Sequence, residues 1–249
     1  MQIQRRFDRV VDFFGRDSFL AFRRANVAVI GLGGVGCHAA AALARSGIGI
    51  LRLVDFDKLT ETSLNRNPMA GLRDCGSYKV DIVADQIRRT CPDTRVETIT
   101  EFFHLDTADS ILKPFPDVVI DAIDSLNPKA ALLEYCVEET IPVFSSMGAS
   151  GRRDPSHLRR DDISQTRCCP LAKQLRKYLR KRGITSGIPC VYSTESAGDS
   201  SFPPDMNDLI IQRGRVRNRI SSLMIMPGIF GYALAGMVLD HLATGKEEL

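Results

Sequence analysis

Residues 26–57 read NVAVIGLGGVGCHAAAALARSGIGILRLVDFD, and their order decides the fold. An apolar run at 26–30 has strand character and a glycine-rich turn follows at 31–36. An alanine-rich segment at 37–46 suits a helix, and a second apolar run at 50–54 ends in Asp55-Phe56-Asp57. Gly31, Gly33 and Gly36 match the G-x-G-x-x-G spacing of a nucleotide turn, with Gly34 between them. Glycine lets an anion approach the backbone, and the helix that follows aims unpaired N–H groups at it. Asp55 falls at the end of the next strand, where a carboxylate meets ribose hydroxyls.

The residues around this unit point to a triphosphate rather than a dinucleotide. Asp57 adds a second acid, and Asn65-Arg66 and Lys79 follow within the next stretch of chain. Hydride transfer needs no such concentration of cations. Lys79 opens a predicted helix at 77–90, where the helix dipole favours anions, so a cation there suits a phosphate contact. The loop 58–76 is long for a βα connection, and loops of that length are usually functional.

Further strands are expected at 95–100, 117–120 and 142–146, with helices at 105–112 and 128–139. This alternation predicts a doubly wound, Rossmann-like, mostly parallel sheet. Asp121-Ala122-Ile123-Asp124-Ser125 ends a buried strand, so its acids fall in the ligand crevice. Asp124 suits Mg²⁺, which takes one or two carboxylates plus phosphate oxygens. The alternative is the N-cap of the next helix, but Ser125 or Asn127 can take that task, which leaves Asp124 for the metal.

The pattern changes after residue 150. Residues 151–219 hold 15 Lys and Arg against 7 Asp and Glu, while the whole chain has a net charge of only +3. A basic half joined to an acidic one suggests a polyanionic partner, although a solvated basic face reads the same way. Two features carry the excess: a predicted helix at 171–182 and the alternating Arg213, Arg215, Arg217 and Arg219, placed on an edge strand. A strand is expected at 190–193 and a polar, mobile connection at 196–208. The apolar run 223–239 contains Pro227 and Gly228, and is read as a loop followed by a buried helix over about 228–242. It is short for a bilayer span, so membrane association is not expected. Residues 1–25 read as helical, carrying Arg5, Arg6 and Arg9. The expected organisation is one unit over 1–249: an N-terminal helical segment (1–25), a nucleotide-binding core (26–150) and a basic extension with a final helix (151–249). No pair among the seven cysteines has C-x-x-C spacing, and the Arg- and Asp-rich start lacks signal-peptide character. Both predict a cytoplasmic protein without a four-cysteine zinc site.

Taken together, the glycine turn, Asp55-x-Asp57, Asn65-Arg66, Lys79 and Asp121-x-x-Asp124 resemble the adenylating superfamily of ubiquitin-activating enzymes, ThiF and MoeB. A closer resemblance, to the bacterial tRNA threonylcarbamoyladenosine dehydratase family, rests on segments spread over nearly the whole chain. These include Ala44-Arg45-Ser46-Gly47-Ile48-Gly49, Pro128-Lys129-Ala130-Ala131-Leu132, Cys169-Pro170-Leu171-Ala172 and Val191-Tyr192-Ser193-Thr194-Glu195. The resemblance implies ATP- and Mg²⁺-dependent activation of the threonylcarbamoyl carboxylate on tRNA as an acyl-adenylate, followed by ring closure, release of AMP and net loss of water. It also implies a homodimer and a sulfur-transfer protein partner. By resemblance and chemistry together, Gly31, Gly33, Gly34 and Gly36 cradle the nucleotide. Asp55 takes the ribose, Asp57 lies near the phosphates, and Ser63, Asn65 and Ser125 complete the nucleotide site. Arg66 and Lys79 balance triphosphate charge, Asp124 holds the metal, and Arg9 reaches a neighbouring site. The sequence departs from the family at Asn67, Ser63 and Asp12, where relatives commonly carry Gln, Asn and Arg. Arg9 is the best replacement for that arginine. The rival substrate is the C-terminus of a ubiquitin-like sulfur carrier; the missing zinc cysteines and the basic second half argue against it. A non-catalytic nucleotide-binding scaffold is disfavoured by Arg66, Lys79 and Asp124 occurring together, and an NAD-dependent oxidoreductase is a more distant reading.

Overall fold

The computed structural model describes residues 3–197, 201–203 and 219–245. Five parallel strands come in the expected places: β1 (Asn26–Ile30), β2 (Ile50–Val54), β3 (Arg95–Ile99), β4 (Val118–Asp121) and β5 (Val143–Ser146). Then β7 (Pro189–Ser193) adds parallel to β5, and β6 (Leu158–Asp162) closes the sheet antiparallel to β7. The order is β3-β2-β1-β4-β5-β7-β6. Chain direction across the sheet reverses between β1 and β4, which opens a crevice at their carboxyl ends.

Side chains alternate along the strands between two cores. Val27, Val29, Leu51, Leu53, Val118 and Ile120 join one core with helices α2 (Arg16–Arg24), α3 (Gly36–Arg45), α4 (Lys79–Thr90) and α8 (Ile225–Thr244). Ala28, Ile30, Val54 and Val119 face the other, with α5 (Ala108–Leu112), α6 (Leu126–Glu138) and α7 (Pro170–Arg180). This period of two, buried on both sides, is what a doubly wound sheet requires.

Several elements differ from the sequence reading. Residues 1–25 are not one helix: Gly15, at φ 82°, separates α1 (Asp8–Phe14) from α2. Strand β6 is unexpected, because Leu158-Arg159-Arg160-Asp161-Asp162 has little apolar content. It is an edge strand exposed along Arg159 and Arg160, where charge protects against further pairing. Helix α5 begins at Ala108 rather than residue 105. Helix α8 begins at Ile225, before the expected 228, since Pro227 falls in the first turn, where no N–H partner is required. Helix α8 is apolar and long enough to cross a membrane, yet it packs on α3, α2 and β5 as part of the core. Arg213, Arg215 and Arg217, and most of 196–208, lie outside the described residues; Arg219 is in β9 (Arg219–Ile220), paired antiparallel with β8 (Ser201–Phe202).

Candidate active site

The glycine turn joins β1 to α3 and is set by backbone contacts. Gly31 has φ 93°, a conformation that favours glycine, and its N–H donates to the Val54 carbonyl at 2.8 Å. A Cβ on Gly36 would lie 1.8 Å from the Gly31 carbonyl oxygen, so only glycine lets the turn close. Gly34 is covered by Pro227 and Arg66, with their side-chain carbons 2.9 and 3.2 Å from where its Cβ would be. Gly33 alone of the four has nothing within 4 Å of that position. It borders a small cavity walled by Leu32, Gly34, Ser63, Arg66, Asn67 and Lys79.

Asp55 braces this turn. Its Oδ2 accepts the Leu32 amide at 2.6 Å and its Oδ1 accepts the Asp57 amide at 2.8 Å. Buried at 7% exposure, it supports the turn with both carboxylate oxygens. Lys79 Nζ lies 2.7 Å from Asp57 Oδ2 and 4.0 Å from Asp55 Oδ1. Burial alone would lower the Lys79 pKa, but attraction from Asp55 and Asp57 outweighs it and holds the ammonium above its ordinary value. A fixed, charged lysine therefore stands at the cavity wall. Its helix starts there because the Lys79 amide donates to the Asp57 carbonyl at 3.0 Å.

Arg66 ends a 3₁₀ turn at Glu61–Arg66 in the long loop. It donates from Nη1 to the Thr62 carbonyl at 2.8 Å and to Asn65 Oδ1 at 3.1 Å. Asn65 in turn donates to the Ser222 carbonyl at 2.8 Å, tying the loop to the segment ahead of α8. Ser63 lines the cavity and has its hydroxyl 3.0 Å from that of Thr60. Asn67, a departure from the family pattern, is buried beside Ser63 and accepts the Met69 amide at 3.0 Å.

Asp124 is exposed beyond the end of β4, and Ser125 Oγ donates to its Oδ1 at 3.1 Å. Ser125, rather than Asp124, is the N-cap residue of α6, and it makes no side-chain cap bond. The N-cap alternative for Asp124 is thus not realised. Among the described residues no three of His, Cys, Asp and Glu gather as a metal cage. A single exposed carboxylate matches an ion held jointly with phosphate oxygens.

Two other groups stand outside the cavity wall. Arg9 projects from α1, exposed, and does not line the cavity; its neighbour Arg6 is bonded to Asp93 ahead of β3, at the amino end of the sheet. Cys169 and Cys190 are buried, and burial pushes the Cys190 thiol up, which disfavours a nucleophilic role. Leu32 and Asn67 join the cavity wall without having been marked for it by the sequence. Leu32 is apolar and carries no chemical signal; only its place in the turn puts it there.

A doubly wound sheet with this turn, a lysine fixed by two aspartates and an exposed aspartate beyond the end of β4 defines an adenylate-forming class of nucleotide-binding protein. The chain belongs to the ThiF family, whose pattern matches residues 7–249. Within that family it resembles the tRNA threonylcarbamoyladenosine dehydratases. It is 36% identical to that of Haemophilus influenzae over 248 residues, covering 98% of this chain and 95% of the relative. Against tRNA threonylcarbamoyladenosine dehydratase 2 of Saccharomyces cerevisiae it is 35% identical over 94% of its length, but it spans only 55% of that longer protein. The crystal structure of the Escherichia coli dehydratase TcdA in complex with ATP superposes with a TM-score of 0.85 at 30% identity, covering 98% of each chain.

Proposed function

We propose that this protein is an ATP-dependent tRNA threonylcarbamoyladenosine dehydratase, a single ThiF-type unit over the whole chain. The observation that carries the reading is the cavity at Gly33, with Lys79 held charged on one wall and Arg66 on another. The similarity to dehydratases over nearly the whole chain supports the choice of substrate.

In this reading Gly31, Gly33, Gly34 and Gly36 receive the nucleotide phosphates, and Asp55 and Asp57 face the ribose and phosphate ends. The substrate carboxylate attacks the α-phosphorus of ATP, an O–P bond forms and pyrophosphate leaves. Arg66 and Lys79 offset the charge that shifts to the departing oxygens, a stabilisation worth most in a water-poor site. Ser63, Asn65 and Ser125 border the nucleotide. A nucleophile within the same side group then attacks the activated carbonyl; AMP departs carrying the carboxylate oxygen, and the ring closes. No protein nucleophile is required. Mg²⁺, held by Asp124 together with the phosphates, would supply further charge neutralisation.

Helix α7 gives the tRNA a surface. It starts directly after Cys169, whose Sγ is 3.6 Å from the Cβ position of Gly148, just past the carboxyl end of β5. Its exposed side carries Lys173, Lys177 and Arg180, with Lys181 just beyond. The further partners proposed are a second copy of the chain, which would bring Arg9 to a neighbouring site, and a sulfur-transfer protein, for which Cys168 is the exposed thiol. Seven unpaired cysteines fit a cytoplasmic setting.

The test is mass spectrometry of nucleosides from tRNA carrying threonylcarbamoyladenosine, after incubation with protein, ATP and Mg²⁺. The product should be lighter by one water, with AMP formed in step, and Asp124→Asn should lose both. Unchanged tRNA alongside an AMP adduct on a ubiquitin-like sulfur carrier would place the chain with the carrier-activating enzymes instead.

A further inference from the structure

A fully buried ionic group lies directly beneath the loop that carries Asp124. Asp121, Lys129 and Ser145 each have 0% exposure. Asp121 Oδ2 accepts from Lys129 Nζ at 2.5 Å and from Ser145 Oγ at 2.6 Å, and Lys129 Nζ also lies 3.4 Å from Ser145 Oγ. The other oxygen, Oδ1, accepts the amide of Ile123 at 3.1 Å. The group therefore joins β4, α6 and β5 and reaches the residue immediately before Asp124.

Stability alone does not account for it. Taking two charges out of water costs about as much as their attraction returns, and an apolar pair of similar volume often serves a core as well. Lys129 is also near the N-terminus of α6, where the helix dipole disfavours a cation. What the charges provide is a fixed position, because charge-assisted hydrogen bonds are short and directional. The strand end they hold is also a wall of the glycine turn. The Ala122 amide donates to the Ile30 carbonyl at 2.9 Å, and a Cβ on Gly31 would come within 2.9 Å of the Ala122 carbonyl oxygen. Displacement of residues 121–123 would thus move Asp124 away from the turn and disturb the turn itself.

We propose that Asp121, Lys129 and Ser145 are positioning residues, which hold the backbone of 121–124 so that Asp124 is presented to the nucleotide. This rests on the reading of Asp124 as the carboxylate that shares Mg²⁺ with ATP. The three act through the Ile123 amide and touch no substrate.

Lys129→Met would strand a buried carboxylate and risks unfolding the chain. The test variant is therefore Asp121→Asn/Lys129→Gln, which removes both charges and keeps groups that hydrogen-bond; Ser145→Ala is the milder second variant. ATP binding is titrated against Mg²⁺ by calorimetry and again in EDTA, and amide exchange at Ile123 is followed without ligand. In the double variant the Mg²⁺ concentration for half-maximal ATP binding should rise about tenfold, as when the residues that orient a metal ligand are lost. Binding in EDTA should hardly change, and the Ile123 amide should exchange faster. Ser145→Ala should shift both in the same direction by less. A lowered melting temperature with an unchanged Mg²⁺ titration and unchanged Ile123 exchange, in either variant, would reduce the group to a structural pair. Asp124→Asn separates the two ideas. If that variant leaves the Mg²⁺ dependence intact, the metal reading of Asp124 fails, and the positioning role is then decided by Ile123 exchange alone.

Discussion

At the scale of single residues, His38 links the glycine turn to pH. Its Nδ1 lies 2.7 Å from the Gly34 carbonyl oxygen. A carbonyl only accepts, so that nitrogen carries the proton. The ring is buried against α8, edge-on to Tyr232 at 5.4 Å. Burial lowers its pKa below the ordinary 6.5, and the bond to Gly34 only partly opposes this. The folded state then binds fewer protons than the unfolded chain in that region, so His38 contributes stability above pH 6.5 that is lost as pH falls. Carboxylates held low, such as Asp162 and Glu195, lose their contribution only at more acidic pH. The urea midpoint should therefore fall between about pH 7.5 and 5.5 in the wild type and stay nearly level in His38→Gln. Equal slopes for the two proteins would remove His38 as the titrating group. Beside it, burial pushes the Cys37 thiol up to about 12, so it remains uncharged at neutral pH and is no rival for the titration.

At the scale of elements, α7 shows how a run of basic residues divides once it is folded. Arg176 is bonded to Thr166, and Arg182 donates to Glu134 at 2.5 Å while its guanidinium stacks 4.0 Å over Tyr178. These two arginines serve packing. Lys173, Lys177, Arg180 and Lys181 are exposed. If α7 carries the tRNA, neutralising those four should flatten the dependence of log affinity on log salt by about 0.7–0.9 for each phosphate no longer neutralised. ATP affinity should be unaffected, because the glycine turn lies elsewhere. Filter binding across a salt series checks this; identical slopes would mean that the face is only solvated. Periodicity in the sequence marks the helix as basic, but cannot say which arginines are occupied, because Thr166 and Glu134 come from outside the helix.

At the scale of the whole molecule, the N-terminal helices cover the amino ends of the strands. Arg23 donates to the carbonyls of Gly47 and Asp93, and Gly49 donates to the Phe22 carbonyl. The glycine turn is at the carboxyl ends. An Arg9 acting on ATP is therefore best tested as a residue of a second copy. Symmetric dimers form by one self-complementary surface, so two inactive variants complement each other when a site draws on both chains. Arg9→Ala mixed with Asp124→Asn and allowed to exchange subunits should recover about a quarter of wild-type turnover: half the dimers are mixed, with one intact site in each. No recovery, or a fully active monomer by sedimentation, would exclude Arg9 from a neighbouring site.

The sequence by itself determined the architecture and the class of chemistry, because both are written in short-range patterns. Turn glycines, apolar runs of strand length and the acids at the ends of β2 and β4 are local, and the strand-length runs recur at the intervals a parallel sheet requires. The resemblance to dehydratases likewise rests on contiguous segments. Strand β6 has no such local mark because an edge strand needs no apolar face, and the start of α8 is not legible because proline is tolerated in a first turn. Only the tertiary structure decided how the charged residues are shared out. Asp55 divides its oxygens between the turn and Asp57, Lys79 is held by both aspartates, and Asp121 is sealed with Lys129 and Ser145. Several of these pairings join residues more than 20 positions apart, and burial governs their strength. A linear pattern records neither the neighbour across the sheet nor the loss of water that makes its charge count.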